Sequence, residues 1–406
     1  MFIDLTPLKR HRDFRLLYIG QMVSFLGSMI SYVAIPYQVY ELTKSNWMVG
    51  LLGAVQLAPI LFFGLVGGSV ADSMDRKKVL IFSEAFMALC VLGLALNSLL
   101  AAPNIYMIYV LTALMQAANG FHRPAMDAMT QKLVDPHEYA AISALGSFRS
   151  SFGHIAGPAL GGLLIASLGA AYAYAIDFLT FAIAIVSVAL INRLPPLDAK
   201  NTLSLTHIME GVRYAFARPE LIGTYVIDIA AMTFAFPTAL FPAMAQEWGG
   251  ATAAGLLFSA MSIGSLIVTI FSGWTAKVRR HGAAVVIAAT LWGVAIVALG
   301  FAPNFYLALF CLALAGGADM VSGIFRGAIW NETIPNHMRG RLSGIEMISY
   351  MSGPLIGNAR AGWVASAATV SFSIWTGGVI CIFAVLISAA MLPAFWRYQS
   401  SARAPR

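Results

Sequence analysis

The chain has 406 residues, 59% of them hydrophobic and 11% charged, with a formal net charge of +7. A soluble domain carries about 25% charged residues, so a large water-facing domain is excluded. The positive excess suits nucleic acid as well as a membrane surface, and its placement decides between them.

Apolar runs of about 20 residues suffice to cross a bilayer. In chain order they fall at 14–40, 47–71, 79–101, 105–130, 141–168 and 172–194. After a polar connection come 220–246, 252–276, 283–302, 305–331, 341–367 and 370–393. Residues 1–15 are polar and basic, so no cleavable signal peptide is expected. Of the 25 Lys and Arg, 20 fall on one side of this path, among them Lys9, Arg15, Lys78, Lys132, Lys200, Lys277 and Arg397. Lys44 alone lies in a loop on the other side. This bias expects both termini in the cytoplasm and no nucleic-acid partner. Cys90, Cys311 and Cys381 lie inside spans, at spacings that suggest no metal site, and read as small buried residues.

The connection 195–219 opens with Pro195-Pro196. Leu205, Ile208, Met209, Val212 and Phe216 then recur at helical spacing, with Glu210 and Arg213 on another face. This expects an amphipathic helix at the cytoplasmic interface, tethering two halves.

Those halves repeat. Arg76-Lys77 after the second run is echoed by Arg279-Arg280 after the eighth. Gln116, Asn119, Arg123 and Asp127 in the fourth run fall opposite Asp319, Ser322, Arg326 and Trp330 in the tenth, at the same offset. Gly157-Pro158 in the fifth run is echoed by Gly353-Pro354 in the eleventh. The expected fold is an all-α membrane protein with twelve transmembrane helices in two pseudo-symmetric six-helix bundles. The bundles span 1–194 and 220–406, with 195–219 as linker.

Gly68, Asp72, Asp75, Arg76 and Lys77 close the second run. Gly68 lets helices approach, and Asp72 can cap a neighbouring helix N-terminus. The basic cluster can pair with Glu84 or Asp127, making a latch between conformations. Asp75 stands where a tight turn can require a positive φ, which Asp tolerates. In the fifth run Gly153, Gly157, Gly161 and Gly162 form a smooth packing face, and Pro158 interrupts the helical hydrogen bonds.

These motifs resemble the major facilitator superfamily, whose signature after the second span is G-x-x-x-D-(R/K)-x-G-R-(R/K). Gly68, Asp72, Arg76 and Lys77 match, while Ser73 and Asp75 depart from it. The run Gly153 to Gly162 resembles the G-x-x-x-G-P-x-x-G-G motif of the superfamily's exporters, which is associated with antiporters. The alternative reading is a glycine-lined packing surface without directional meaning. Arg123-Pro124-Ala125 and the seventh span with Asp228, Pro237 and Pro242 look like the branch holding macrolide-efflux proteins and enterobactin-type siderophore exporters. The resemblance covers nearly the whole chain and implies that the first, fourth, seventh and tenth spans line a cavity.

A charge at mid-span costs about 2.5–3.5 kcal/mol on insertion scales, so each should face a cavity or a partner. Asp228 and Asp319 lie near mid-depth, on spans that the resemblance places at the cavity. They are the candidates for proton or substrate work, with Gln21, Gln116 and Asn119. The competing reading is a structural ion pair, such as Asp319 with Arg326. Arg123, Asp127 and Arg326 join Gly68, Asp72, Arg76 and Lys77 as gating candidates, and Arg123 can pair with Asp127 at i, i+4. His154 reads as a buried neutral histidine. Arg149, Glu346 and Arg360 read as interhelical partners. Phe25, Tyr32, Trp330 and Tyr350 line a wall or simply pack.

No nucleophile–base pair or metal cluster appears, so no enzyme and no cofactor are expected, and no G-x-x-x-x-G-K-[ST] loop supports an ATP-driven pump. The expected activity is secondary export of small amphipathic molecules, of drug or siderophore type, by alternating access with proton antiport. Lysolipid transport, and a sensor or interaction protein on a transporter fold, stand as alternatives. The expected partners are small-molecule cargo, protons and membrane lipid. The chain is expected to be a monomer in the inner membrane.

Overall fold

The computed structural model describes residues 4–192, 210, 213–335 and 338–400, with the backbone alone at 65–73, 339–341, 343–345 and 347–348. After a short α1 (Thr6–Arg10), long helices follow: α2 (Arg12–Thr43), α3 (Asn46–Ser73), α4 (Arg76–Ser98), α5 (Ile105–Lys132), α6 (Tyr139–Leu168) and α7 (Ala170–Ala189). The later part holds α8 (Pro219–Ala235), α9 (Phe241–Trp248), α10 (Gly250–Ile270), α11 (His281–Gly300), α12 (Phe305–Thr333), α13 (Arg339–Ala367), α14 (Val370–Met391) and α15 (Pro393–Trp396). Among the described residues there is no strand.

Ten helical stretches are long and apolar enough to cross a membrane among those residues. α5 and α13 are comparably long but more polar: α5 carries Gln116, Asn119, His122, Arg123 and Asp127, and α13 carries Glu346, Asn358 and Arg360. Large apolar side chains face outward, such as Phe82 at 73%, Tyr306 at 81% and Met391 at 75% exposure. Such surfaces suit hydrocarbon, where helices satisfy their own backbone groups.

Side chains set the helix starts. Asn104 accepts from the Tyr106 N–H at 2.9 Å, Asn304 from Leu307 N–H at 2.9 Å, and Thr369 from Phe372 N–H at 3.0 Å. Each satisfies a donor that the first helical turn leaves open. Asp75 does the same for α4, accepting from Lys77 N–H at 3.0 Å. Its φ of −60° corrects the expectation of a positive-φ turn at this position. The reason is chemical: the aspartate is spent as an N-cap, and an N-cap takes extended backbone.

The seventh apolar run remains one stretch long and apolar enough to cross, Pro219–Trp248, but it is not one helix. It breaks after α8 into a 3-10 turn at Thr238–Leu240 before α9. Pro237 has no N–H to donate and holds Phe236 in extended backbone (φ −92°, ψ 109°). Residues 205–209 and 212 of the expected amphipathic helix lie outside the described residues, as do Lys200, Arg403 and Arg406. Residues 213–216 are helical, and Tyr214 donates to the Thr333 carbonyl at 2.9 Å.

The chain forms two compact units. The first holds residues 4–44, 55–192 and 249–259. Within it α2 packs on α6 and α7, and α4 on α5 and α7. The second holds 45–54, 213–248, 260–335 and 338–400. There α8 packs on α13 and α14, and α11 on α12 and α14. The same order of neighbours therefore recurs in each unit, as the internal repeat anticipates.

Close helix approach decides two places. In the first unit a Cβ on Gly162 would meet Ala251 O at 2.5 Å and Gly255 Cα at 2.9 Å. In the second, a Cβ on Gly50 would meet Asn358 O at 2.7 Å and Gly362 Cα at 2.9 Å. These obstacles are backbone and cannot swing aside. Gly255→Val is therefore expected to force α10 from α6, lowering the melting temperature and the monodisperse yield in detergent. Overpacking of this kind costs about 1–3 kcal/mol. Gly146→Ala, with nothing within 4 Å of the added Cβ, should leave both readouts unchanged.

Candidate transport site

The second unit gathers three charged residues. Asp228 comes from α8, and Asp319 and Arg326 from one face of α12, two turns apart. Arg326 Nη1 pairs with Asp228 Oδ1, and Nη2 donates to Asp319 Oδ1 at 3.4 Å. Asp228 and Arg326 are buried, while the Asp319 side chain is 40% exposed. Both aspartates face a small pocket lined with Ile227, Met232, Trp292 and Ser322. Two carboxylates share one guanidinium, leaving one negative charge unbalanced when both are ionised. Asp319 is the more exposed of the two carboxylates. Arg326, expected at a gate, thus joins the two aspartates. One turn further, the Trp330 indole donates to Thr224 Oγ1 at 2.9 Å and stacks on Tyr225.

The first unit distributes its polar residues differently. Gln21 is buried and donates to Glu84 Oε1. Asn119 donates to Gln116 Oε1 at 3.3 Å. Arg123 and Asp127 are exposed on α5. The basic residues after α3 were expected to pair with Glu84 or Asp127; the described contacts of Arg76 and Lys77 are to backbone carbonyls. Arg76 donates to the Ala128 carbonyl at 3.2 Å, and Lys77 to the Ala189 carbonyl at 2.8 Å and to that of Ile191. For Lys77 the reason is the end of α7, where the Ala189 carbonyl has no intrahelical donor and carries partial negative charge. Glu84 lies two turns deeper and takes Gln21 and His122 instead. Gly68 and Asp72 occupy the last turns of α3, where the backbone alone is described.

The glycine run of α6 is a two-sided packing surface. A Cβ would strike Phe25 from Gly153, Met29 from Gly157 and Ile30 from Gly161, all on α2, whereas Gly162 faces Gly255 of α10. Pro158 is buried inside this helix. His154 sits edge-on to Phe25 and donates from Nδ1 to the Ser150 carbonyl at 2.9 Å. Tyr32 packs edge-on against Phe258. Arg149 reaches Met126 Sδ at 3.5 Å. The three cysteines are buried and free.

Two residues serve the broken seventh run. Asn358 Oδ1 accepts from Thr238 Oγ1 at 2.8 Å and Ala239 N–H at 3.0 Å. Arg360 donates to the Phe234 carbonyl at 2.8 Å and the Ser373 carbonyl at 3.2 Å. Arg360 is therefore an interhelical partner, as expected. Asn358 was missed. Its signal was an unexplained polar residue in an apolar run, facing a proline in another.

Sequence spacing suggested no metal-type cluster, yet the fold brings ligand-type atoms of His11, Asp135 and Glu138 within 4.8 Å of one another. Glu138 in this cluster already has partners. His11 Nε2 meets Glu138 Oε2 at 2.7 Å, Arg10 lies 3.9 Å from Oε1, and the Asp135 N–H donates to Oε2 at 3.4 Å. Burial works to raise the Glu138 carboxyl, but the His11 and Asp135 hydrogen bonds hold it below its ordinary 4.5. A depressed folded value contributes stability above the unfolded value, and that stability is lost as pH falls through the folded one. Melting temperature should therefore fall with acidification below about pH 4.5, and Glu138→Gln should flatten that part of the profile.

Stacked apolar helices with paired charges inside define a multi-pass membrane protein. The family model described as "Transmembrane secretion effector" matches residues 3–405, and the chain belongs to this family of the major facilitator superfamily. The chain is similar to the enterobactin exporter EntS of Shigella flexneri, 28% identical over 393 residues, covering 95% of this chain and 94% of that one. EntS of Escherichia coli O81 (strain ED1a) is 29% identical over 394 residues, with the same coverage. In structure the chain is similar to the nucleoside transporter NupG, with a TM-score of 0.72 at 14% identity over 94% of this chain and 98% of that one. It is also similar to a bacterial homologue of ferroportin in an inward-facing state, with a TM-score of 0.70 at 14% identity over 95% and 98%. These relatives are transporters, and the chain is not an enzyme.

Proposed function

We propose that the chain exports small amphipathic molecules from the cytoplasm by proton antiport. Twelve spans in two halves, 1–194 and 220–406, work by alternating access, with 195–219 as tether. The protein is a monomer in the inner membrane with both termini cytoplasmic. The observation that carries the coupling is the sharing of one guanidinium by Asp228 and Asp319 at a pocket. A site short of one positive charge takes up a proton or a cation. A 100 mV potential supplies about 2.3 kcal/mol per charge moved, enough to drive uphill export without ATP. Likeness to enterobactin exporters along the whole chain favours a siderophore-type cargo over a drug.

The test uses everted membrane vesicles from a strain lacking its own exporters. A catecholate siderophore, a macrolide and a lysophospholipid are offered in turn while the pH gradient is followed with a dye. The siderophore should collapse the gradient and accumulate. No response to any cargo, or accumulation without a gradient, overturns the proposal. Asp319→Asn removes the proton acceptor with little change in shape. It should abolish uphill accumulation while leaving downhill exchange within about twofold of the parent. Equal loss of both activities would make Asp319 a cargo or folding residue.

A further inference from the structure

The first unit contains a buried carboxylate that the transport reading does not use. Glu84 lies in α4, about 12 Å along the helix from Arg76 at 1.5 Å per residue. It has no exposed surface. Its Oε1 accepts from the Gln21 side-chain amide of α2 and lies 3.3 Å from His122 Nε2 of α5. Its Oε2 is buried without a hydrogen-bond partner. Gln21 is neutral. An ionised Glu84 beside a neutral His122 therefore puts one uncompensated charge into a low-dielectric interior, a costly arrangement. One proton removes that charge whichever partner carries it.

Among the described residues, no Lys or Arg hydrogen-bonds the open Oε2 of Glu84. From α5, Arg123 and Asp127 follow His122 but are exposed. Arg149 of α6 reaches Met126 Sδ at 3.5 Å. Asp177 of α7 is turned to Ser31 and Thr180. Lys77, on α4 itself, is taken by the Ala189 and Ile191 carbonyls. We infer that Glu84 and His122 form a one-proton binding site inside the first unit, separate from the Asp228–Arg326–Asp319 group. The idea deepens the proton-antiport reading and rests on it for its role in transport, but the site itself is measurable without cargo.

The experiment is an infrared pH titration of the purified full-length protein in lipid, with carboxyl-13C glutamate incorporated so that glutamate bands separate from aspartate bands. The expected result is a protonated-glutamate band from an apolar environment that titrates in the parent and in Asp319→Asn, and is lost in Glu84→Gln. In His122→Asn the band should titrate at a different pH, because the shared proton no longer has a second base. Persistence of the band in Glu84→Gln overturns the proposal, as does a parent that shows neither this band nor a titrating imidazolium band that is lost in His122→Asn. Should Glu84→Gln fail to fold, His122→Asn decides: a shifted titration supports the pair and an unchanged one overturns it. Loss of gradient-driven export in the vesicle assay tests the antiport reading alone and leaves this spectroscopic outcome standing.

Discussion

Arg326→Gln is expected to be among the most damaging single substitutions in the second unit, costing about 3–5 kcal/mol and eliminating transport. The guanidinium reaches Asp228 and Asp319 at once. Without it, Asp228 is left buried at 7% exposure with no counter-charge, whereas the half-open Asp319 can rehydrate. The damage is thus mainly the stranded carboxylate at Asp228. Asp228→Asn combined with Arg326→Gln should recover most of the lost melting temperature but not the coupled transport. Arg326→Lys should fall between, because a single ammonium cannot fork to two carboxylates as a guanidinium does. Thermal unfolding of the purified variants in one detergent reads the series. A single variant as stable as the parent would mean that the ion pairs contribute nothing to the fold.

Asn358→Leu is expected to be next in severity. Leucine keeps the branch at Cγ but is bulkier than asparagine and offers no acceptor. Thr238 Oγ1 and Ala239 N–H would lose their shared partner inside the unit. A buried donor left unmade costs about 1–3 kcal/mol, and two are affected. The turn at Thr238–Leu240 should loosen locally before the unit unfolds. Hydrogen exchange should therefore show faster exchange at Ala239 and its neighbours, with little change along α11. Uniform protection equal to the parent would show that the break after Ala235 holds without its side-chain cap. Arg360→Met, which keeps the apolar stem but frees the Phe234 and Ser373 carbonyls, should loosen the other side of the same break.

The reach of sequence reasoning can be judged residue by residue. Helix positions were legible because a span must be apolar for some 20 residues, and a signal that long survives small errors at either end. Asp228 and Asp319 stood out because a carboxylate in such a run is costly and needs a reason. Helix caps were readable but went unread. Ala102-Pro103-Asn104 and Ala302-Pro303-Asn304 open α5 and α12 alike, and both asparagines cap. The partners of Glu84 were not readable, since Gln21, Glu84 and His122 lie on three helices with no fixed spacing between them. The break at Pro237 was half visible: the proline warned of it, but Asn358 and Arg360 sit more than a hundred residues away.

The sequence by itself determined the all-α membrane class, the repeat, the family and the few charges that demanded explanation. Each of these rests on composition or short-range spacing, which one chain carries within itself. Only the tertiary structure decided which charges meet. Arg326 could have served a gate or paired with Asp319 alone, and the packing of α8 against its neighbours brought it to Asp228 and Asp319 together. Lys77 could have paired with Glu84, but the open carbonyls at the end of α7 stood nearer. Side-chain partnership depends on helix rotation and depth, and those follow from how many helices pack at once.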